Sequence, residues 1–257
     1  MSLPSSFLRS AMALRDGIVV ASGTYLRKYH GWQVTGELTP PAEPTLFVSH
    51  HGFGSLFDLN VFAALATLHE MGVDRPVTLL AHQLAWTIGI GPILEPFGAR
   101  PASHDAARAA FGHGEHALVM PGGDVDGFKP YRDRNRIVFD GRTGFAQLAI
   151  DTGVRVVPIV TSGAGDTIYS ISDGRWLARA FGLDRVARLK AIPMTISIPW
   201  GFNIGLVGFA PHLPLPAKLS TRVLPEMRPV PREDAQAFAE RVRVAMQATL
   251  TELTEQD

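Results

Sequence analysis

The stretch Thr45-Leu46-Phe47-Val48-Ser49-His50-His51-Gly52-Phe53-Gly54-Ser55-Leu56-Phe57-Asp58 decides the fold class. Its first five residues form a short apolar, β-type run of the kind that fills a buried strand. Asp58 closes the stretch at the start of a helix-periodic segment, where an aspartate suits an N-cap. A strand that passes through a glycine-bearing loop into a helix is the place where α/β sheets hold their ligands.

Outward from this stretch the pattern repeats. Upstream, the polar, proline-bearing residues 35–44 read as a linker. Before them, residues 7–29 interleave Leu8, Met12, Ile18, Val19 and Leu26 with Arg9, Arg15, Arg27 and Lys28. That is the composition of an amphipathic helix, which either lies on a lipid surface or packs on the domain. Downstream, the pattern predicts strands over 77–81, 117–120 and 154–160. Helices are predicted over 58–71, 104–111, 143–152 and 232–254, and over 85–97 with breaks at Gly89, Gly91 and Pro92, while 121–141 reads as a loop. Strands separated by helices give an α/β fold, a single domain with a mainly parallel central sheet flanked by helices. We expect residues 1–35 to form an N-terminal membrane-interface helix region and residues 36–257 to form one catalytic domain.

Charge and composition narrow the function classes. Lys plus Arg and Asp plus Glu both total 24, so the broad basic field of a nucleic-acid-binding chain is missing. The absence of cysteine excludes a disulfide framework, a thiolate nucleophile and a thiolate-ligated metal. Hydrophobic residues make up 46%, high for a soluble domain. The longest charge-free stretch, 191–217, carries Pro193, Pro199, Pro211, Pro214 and Pro216. Repeated prolines break the continuous helix that lipid demands, so this stretch reads as strand and loop. The apolar run at 18–21 is too short, and too closely flanked by Arg15 and Arg27, for a signal peptide, so the N-terminus is expected to be retained.

Three constellations can carry chemistry. In the first, His51 can take a proton from an attacking hydroxyl while Asp58 reaches back across the loop to fix the imidazole tautomer. The alternative makes Asp58 an N-cap and the histidines satisfied structural groups. The second is Met120-Pro121-Gly122-Gly123-Asp124, followed by Phe128-Lys129 and Tyr131-Arg132-Asp133-Arg134-Asn135-Arg136. Gly122 and Gly123 permit close backbone approach to a ligand. Lys129 and the forks of Arg132, Arg134 and Arg136 suit a phosphate, or else they form a solvated, internally paired loop. In the third, Gly141-Arg142-Thr143-Gly144-Phe145, Arg142 stands near a helix N-terminus that itself attracts anions.

Together these stretches resemble the glycerolipid acyltransferase superfamily, and within it bacterial members of the monoacylglycerol and diacylglycerol acyltransferase-like branch. The resemblance covers roughly residues 46–254. Val48-Ser49-His50-His51 is similar to the first family block, with His50 where many members have Asn and His51 at the position of the catalytic histidine. Asp58 matches the family aspartate, although six residues separate it from His51 where four are familiar. Residues 91–99 resemble the second block, which lies beside the acyl and acceptor channel. Residues 114–123 resemble the third block, 142–149 the helix behind it, and 157–160 the last block. Pro121-Gly122-Gly123 stands in place of the Pro-Glu-Gly of lysophosphatidate acyltransferases and looks like the neutral-lipid branch.

The resemblance implies transfer of a fatty acyl group from acyl-CoA to the hydroxyl of a lysophospholipid, monoacylglycerol or diacylglycerol. His51 is then the general base, with Asp58 orienting it. Gly52, Gly122, Gly123, Asp124, Lys129, Arg132, Arg134, Arg136 and Arg142 are expected to contact substrate, with backbone N–H groups of residues 52–54 stabilising the oxyanion. Acyl-CoA serves as co-substrate with no bound cofactor and no metal, and the chain is expected to work peripherally at the cytoplasmic face of a membrane. A serine hydrolase is the nearest rival, but no Gly-x-Ser-x-Gly elbow occurs. A metal hydrolase would draw on His50, His51, His113, His116 and Asp58, without a His-Glu-x-x-His motif. The non-enzymatic rival is a lipid- or acyl-CoA-binding module at the membrane surface.

Overall fold

In the computed structural model the described residues are 5–53, 58–87, 89, 91–183, 189–208 and 210–256. Helix α1 (Ser5–His30) leads into β1 (Gln33–Gly36) and β2 (Thr45–Val48), and α2 (Leu59–Glu70) into β3 (Val77–Ala81). Two short helices, α3 (Leu84–Thr87) and α4 (Gly91–Leu94), precede β4 (Ala99–Pro101), α5 (His104–Gly112) and β5 (His116–Val119). Next come α6 (Gly123–Gly127), α7 (Gly144–Thr152), β6 (Arg155–Ser162), β7 (Tyr169–Ser172) and α8 (Arg175–Ala180). The chain continues with β8 (Met194–Ser197), β9 (Gly201–Ile204), β10 (Ser220–Val223) and α9 (Ala235–Gln256).

Period-2 alternation explains why every residue of β2 is buried. Leu46 and Val48 pack with Phe145, Leu148, Phe238, Val242 and Met246 of α7 and α9 on one face. Phe47 points the other way, onto Ala64, Leu68 and Met71. A strand covered on both faces is what a mainly parallel sheet requires. The seven-stranded sheet has the order β1-β10-β6-β2-β5-β3-β4. Every neighbouring pair in it is parallel except β10 and β6. A second, three-stranded sheet joins β7, β8 and β9.

Several boundaries differ from the sequence reading for local reasons. Thr35 and Gly36 belong to β1 rather than to a linker, because this edge strand pairs through its backbone with β10 and offers no hydrophobic pattern. Residues 121–141 contain α6 and a 3₁₀ turn at Tyr131–Asp133 instead of an unbroken loop. The last helix starts at Ala235, after Arg232 in a left-handed conformation, and Asp234 Oδ1 accepts from Ala237 N–H at 2.8 Å. Residues 85–97 divide into α3, α4 and a 3₁₀ turn, and a Cβ on Gly91 would meet the Trp86 ring at 2.4 Å.

One face of α1 packs and the other is exposed. Leu26 is buried in a cluster with Trp32, Leu59, Ala63 and Ala66, and Arg15 Nη2 donates to Val77 O at 3.1 Å. Leu14, Ile18, Val20, Tyr25 and Tyr29 are exposed. The side chains of Leu8, Arg9 and Met12 lie outside the described residues.

Candidate active site

The two roles weighed for Asp58 are filled at once. Its Oδ1 accepts from Asn60 N–H at 2.9 Å, capping α2, while its Oδ2 lies 2.6 Å from His51 Nδ1. The carboxylate is fully buried and the imidazole is 16% exposed. Capping holds the aspartate still, so the histidine it faces has one preferred orientation. Nδ1–H donating to Asp58 leaves Nε2 as the basic nitrogen, on a side chain that lines a cavity of 840 Å³. Residues 54–57, including the Gly54 expected at the oxyanion, lie outside the described residues.

The backbone of His51 is held from both sides. Asp126 Oδ2 accepts its N–H at 2.8 Å, and Lys129 Nζ donates to its carbonyl at 2.8 Å. Lys129 also donates to Asp126 Oδ1 at 2.9 Å and Arg136 O at 2.9 Å. Those three bonds use all three ammonium protons, so its charge serves the loop and not a phosphate. Burial pushes the Asp126 carboxyl up, but the Lys129, His50 and His51 charges outweigh it and leave the pKa lowered. Asp126 was not singled out in the sequence; an Asp-x-x-Lys pair spaced for one helical turn was the available signal.

His50 is a buried structural base. Its Nε2 accepts from Thr161 N–H at 3.2 Å, which places the proton on Nδ1, near His51 O at 3.2 Å. Burial, then the Lys129 charge, lowers its pKa to about 4. A base whose pKa falls on folding binds fewer protons folded than unfolded, so its stability contribution is full above 6.5 and shrinks as pH drops towards 4. The fall from 6.5 to about 4 corresponds to roughly 3 kcal/mol. Urea unfolding across that window should show this slope in the wild type and a weaker one in His50→Asn. Identical slopes would refute the assignment.

The other site candidates divide. Gly123, Asp124 and Arg142 line the cavity. Arg142 donates to Gly122 O and, at 2.8 Å, to Asp124 Oδ1, while Asp124 Oδ2 accepts from Lys190 N–H. Gly52 and Gly122 are small for internal reasons. A Cβ on Gly52 would stand 2.4 Å from Ala164 Cβ, and one on Gly122 2.4 Å from Val138 O. Arg132, Arg134 and Arg136 are not among the lining residues. Arg132 and Arg136 reach Asp133 at 3.5 and 3.2 Å, and Arg134 reaches Asp166 at 2.5 Å while stacking over Tyr131. His116 serves the sheet, its Nδ1 accepting from Thr45 N–H at 3.1 Å. Among the described residues no group of three His, Asp or Glu side chains stands at metal-ligating spacing.

The cavity itself is apolar. Val19 of α1, Phe62 and Leu65 of α2, Leu94, Leu118 and Leu148 contribute to its wall. Its volume lies within the roughly 300–1,000 Å³ of small-molecule sites.

A family model described as acyltransferase matches residues 31–162, just over half of the chain and the part that holds His51, Asp58, Asp126 and Lys129. The chain belongs to the acyltransferase family. Its fold is that of a glycerolipid acyltransferase, similar to the 1-acyl-sn-glycerophosphate acyltransferase PlsC of Thermotoga maritima. That likeness has a TM-score of 0.57 over 95% of this chain and 82% of that one, at 15% identity. This acyltransferase is also 28% identical over 200 residues to an uncharacterized protein of Mycobacterium tuberculosis, covering 76% of this chain and 51% of that one. It is 28% identical over 158 residues to a Bos taurus protein named DGAT1/2-independent enzyme synthesizing storage lipids, covering 60% and 46%. The chain spans about half the length of the curated relatives it matches.

Proposed function

We propose that this acyltransferase moves a fatty acyl group from acyl-CoA to the hydroxyl of a lysophospholipid, monoacylglycerol or diacylglycerol. The observation that carries the reading is the 2.6 Å His51–Asp58 contact on the wall of a large apolar cavity. His51 Nε2 takes the acceptor's proton as its oxygen adds to the thioester carbonyl, and the thiolate of coenzyme A leaves as the intermediate collapses. No acyl-enzyme is needed. General-base help of this kind is worth about 10²- to 10⁴-fold, with positioning supplying more.

The cavity wall supports an acyl chain, since each buried CH₂ contributes about 0.8 kcal/mol. Arg142 on that wall, near the N-terminus of α7, is where we place the polar head of donor or acceptor. Substrates that partition into bilayers place the protein peripherally at the membrane, on the cytoplasmic side where acyl-CoA is found. The reaction uses acyl-CoA as co-substrate and no bound cofactor.

The test is thiol release from palmitoyl-CoA, or from palmitoyl-acyl carrier protein, with lysophosphatidate, monoacylglycerol, diacylglycerol or no acceptor. Release that requires an acceptor and falls at least ~10²-fold in His51→Ala supports the reading. Acceptor-independent release points to a hydrolase, and binding without release points to a lipid-binding protein.

A further inference from the structure

Residues 191–217 carry no Asp, Glu, Lys or Arg, and among the described residues no helix is long and apolar enough to cross a membrane. β8 and β9 of this stretch pair with β7, and the register sets Tyr169, Ile196 and Phe202 in one row and Ser170, Thr195 and Asn203 in the next. An antiparallel sheet with one covered face ordinarily turns its apolar row inward. This sheet does the reverse. Tyr169, Ile196 and Phe202 are 49%, 49% and 59% exposed, whereas Ser170 and Thr195 are buried.

On the inner face, Thr195, Asn203 and Ser197 are bonded to one another. Thr195 Oγ1 donates to Asn203 Oδ1 at 3.1 Å, and Asn203 Nδ2 donates to Ser197 Oγ at 3.1 Å. A one-residue slip would expose that polar network and bury the outer row, so the paired network holds the inverted register. Ile171 and Ile204 extend the outer face, with Ile198 and Trp200 also exposed beside it.

The face continues towards α1 and the cavity. Leu213 N–H donates to Ile198 O at 2.8 Å, and Tyr29 OH donates to Pro214 O at 3.0 Å. Exposed Leu213 and Leu215 therefore link the sheet to the exposed side of α1, whose Ile18 and Val19 line the cavity. On the other side, Leu189, another lining residue, packs with Phe53 and Phe128 near the histidine loop.

We infer that this inverted sheet is the surface on which the protein docks to a neutral lipid bilayer, an inference that rests on the membrane reading above. Protein interfaces keep polar groups for pairing, whereas the exposed strand side chains here, Tyr169, Ile171, Ile196, Phe202 and Ile204, offer no charge and no hydrogen-bonding group beyond the Tyr169 phenol. A bilayer asks for none. Exposed Trp176, Trp200 and Tyr169 supply rings with polar handles of the kind that settle at headgroup depth, and Trp200 Nε1 is already satisfied by Pro211 O at 2.8 Å. Continuity with α1 and the cavity wall lets an acyl chain pass from bilayer to His51 along apolar surface.

Flotation of the full chain with phosphatidylcholine vesicles, without acyl donor, is the test. The wild type should float, and Ile196→Glu/Phe202→Glu should cut vesicle binding by roughly tenfold or more with unchanged melting temperature. A second readout leaves the strands intact: brominated phosphatidylcholine should quench the wild-type tryptophan fluorescence but not the Trp32 and Trp86 signal of Trp176→Phe/Trp200→Phe. Wild-type flotation by the double glutamate variant, or quenching that survives in the phenylalanine variant, overturns the inference. So does a wild-type dimer that the glutamates split while vesicle binding persists, since the face then seats a second copy. Because no acyl donor is present, the outcome is independent of whether the transfer reaction itself is confirmed.

Discussion

Asp58→Asn should lower kcat by roughly 10³- to 10⁴-fold while the protein stays folded. Asparagine caps a helix as well as aspartate does, so the bond from Asn60 N–H to Oδ1 survives and α2 keeps its start. The other side-chain atom changes from an acceptor to an amide N–H donor facing His51 Nδ1. The imidazole must then accept at Nδ1 and carry its proton on Nε2, the nitrogen that has to be free to take a proton from the acceptor hydroxyl. Lost too is the carboxylate that stabilises the imidazolium as it forms. KM should shift by only a few-fold, because Asp58 is buried behind the histidine and is not among the cavity-lining residues. Asp58→Ala would add the loss of the cap, about 1 kcal/mol, and so separates the two roles. The measurement is kcat and KM from thiol release together with thermal unfolding. A variant within tenfold of wild-type kcat would remove Asp58 from the mechanism.

The central sheet was legible because its middle strands are buried on both sides. Residues 45–49 and 154–160 read as short β-type runs, close to the strands 45–48 and 155–162 that form, and helices α2, α7 and α9 show one apolar face each. The outer strands were not. β1 and β10 are four residues long, gain their place through backbone pairing, and mix polar with apolar residues. At the site, residue type and order named His51 and Asp58, but a distance across a non-helical loop does not follow from sequence separation. The brace on His51 is further from view. Its acceptor and donor lie 75 and 78 residues away and act on main-chain atoms, so the Asp-x-x-Lys spacing shows that the two can pair but not what they hold. The same arginine-rich run that suggested a phosphate site, residues 132–136, contains Asp133 within reach of Arg132 and Arg136, which is the local pairing a spacing argument cannot rank.

Lys129→Met should destabilise the protein by about 3–5 kcal/mol, a large part of the roughly 5–15 kcal/mol that holds a domain folded. Methionine fills much of the lysine's volume, so the cost comes from charge. Asp126 has no exposure, and without the ammonium its carboxylate keeps, among the described residues, two backbone donors, His51 N–H and Val138 N–H. In the wild type the Lys129 charge works against burial to hold the Asp126 pKa low, so this carboxylate stabilises the fold above its unfolded pKa and the benefit fades as pH falls through the folded value. Removing Lys129 leaves burial to raise that pKa. The deficit of the variant against wild type should therefore be largest near neutral pH and narrow on acidification, as protonation of Asp126 removes the unpaired charge. Adding Asp126→Asn should restore part of the stability, since an amide oxygen still accepts from His51 N–H. Activity should recover less than stability in the double variant, because the His51 carbonyl has lost its donor and the histidine its fixed approach to Asp58. Urea unfolding at several pH values reads the first effect and thiol release the second; a neutral-pH loss below about 1 kcal/mol would mean that the pair does not brace the histidine loop.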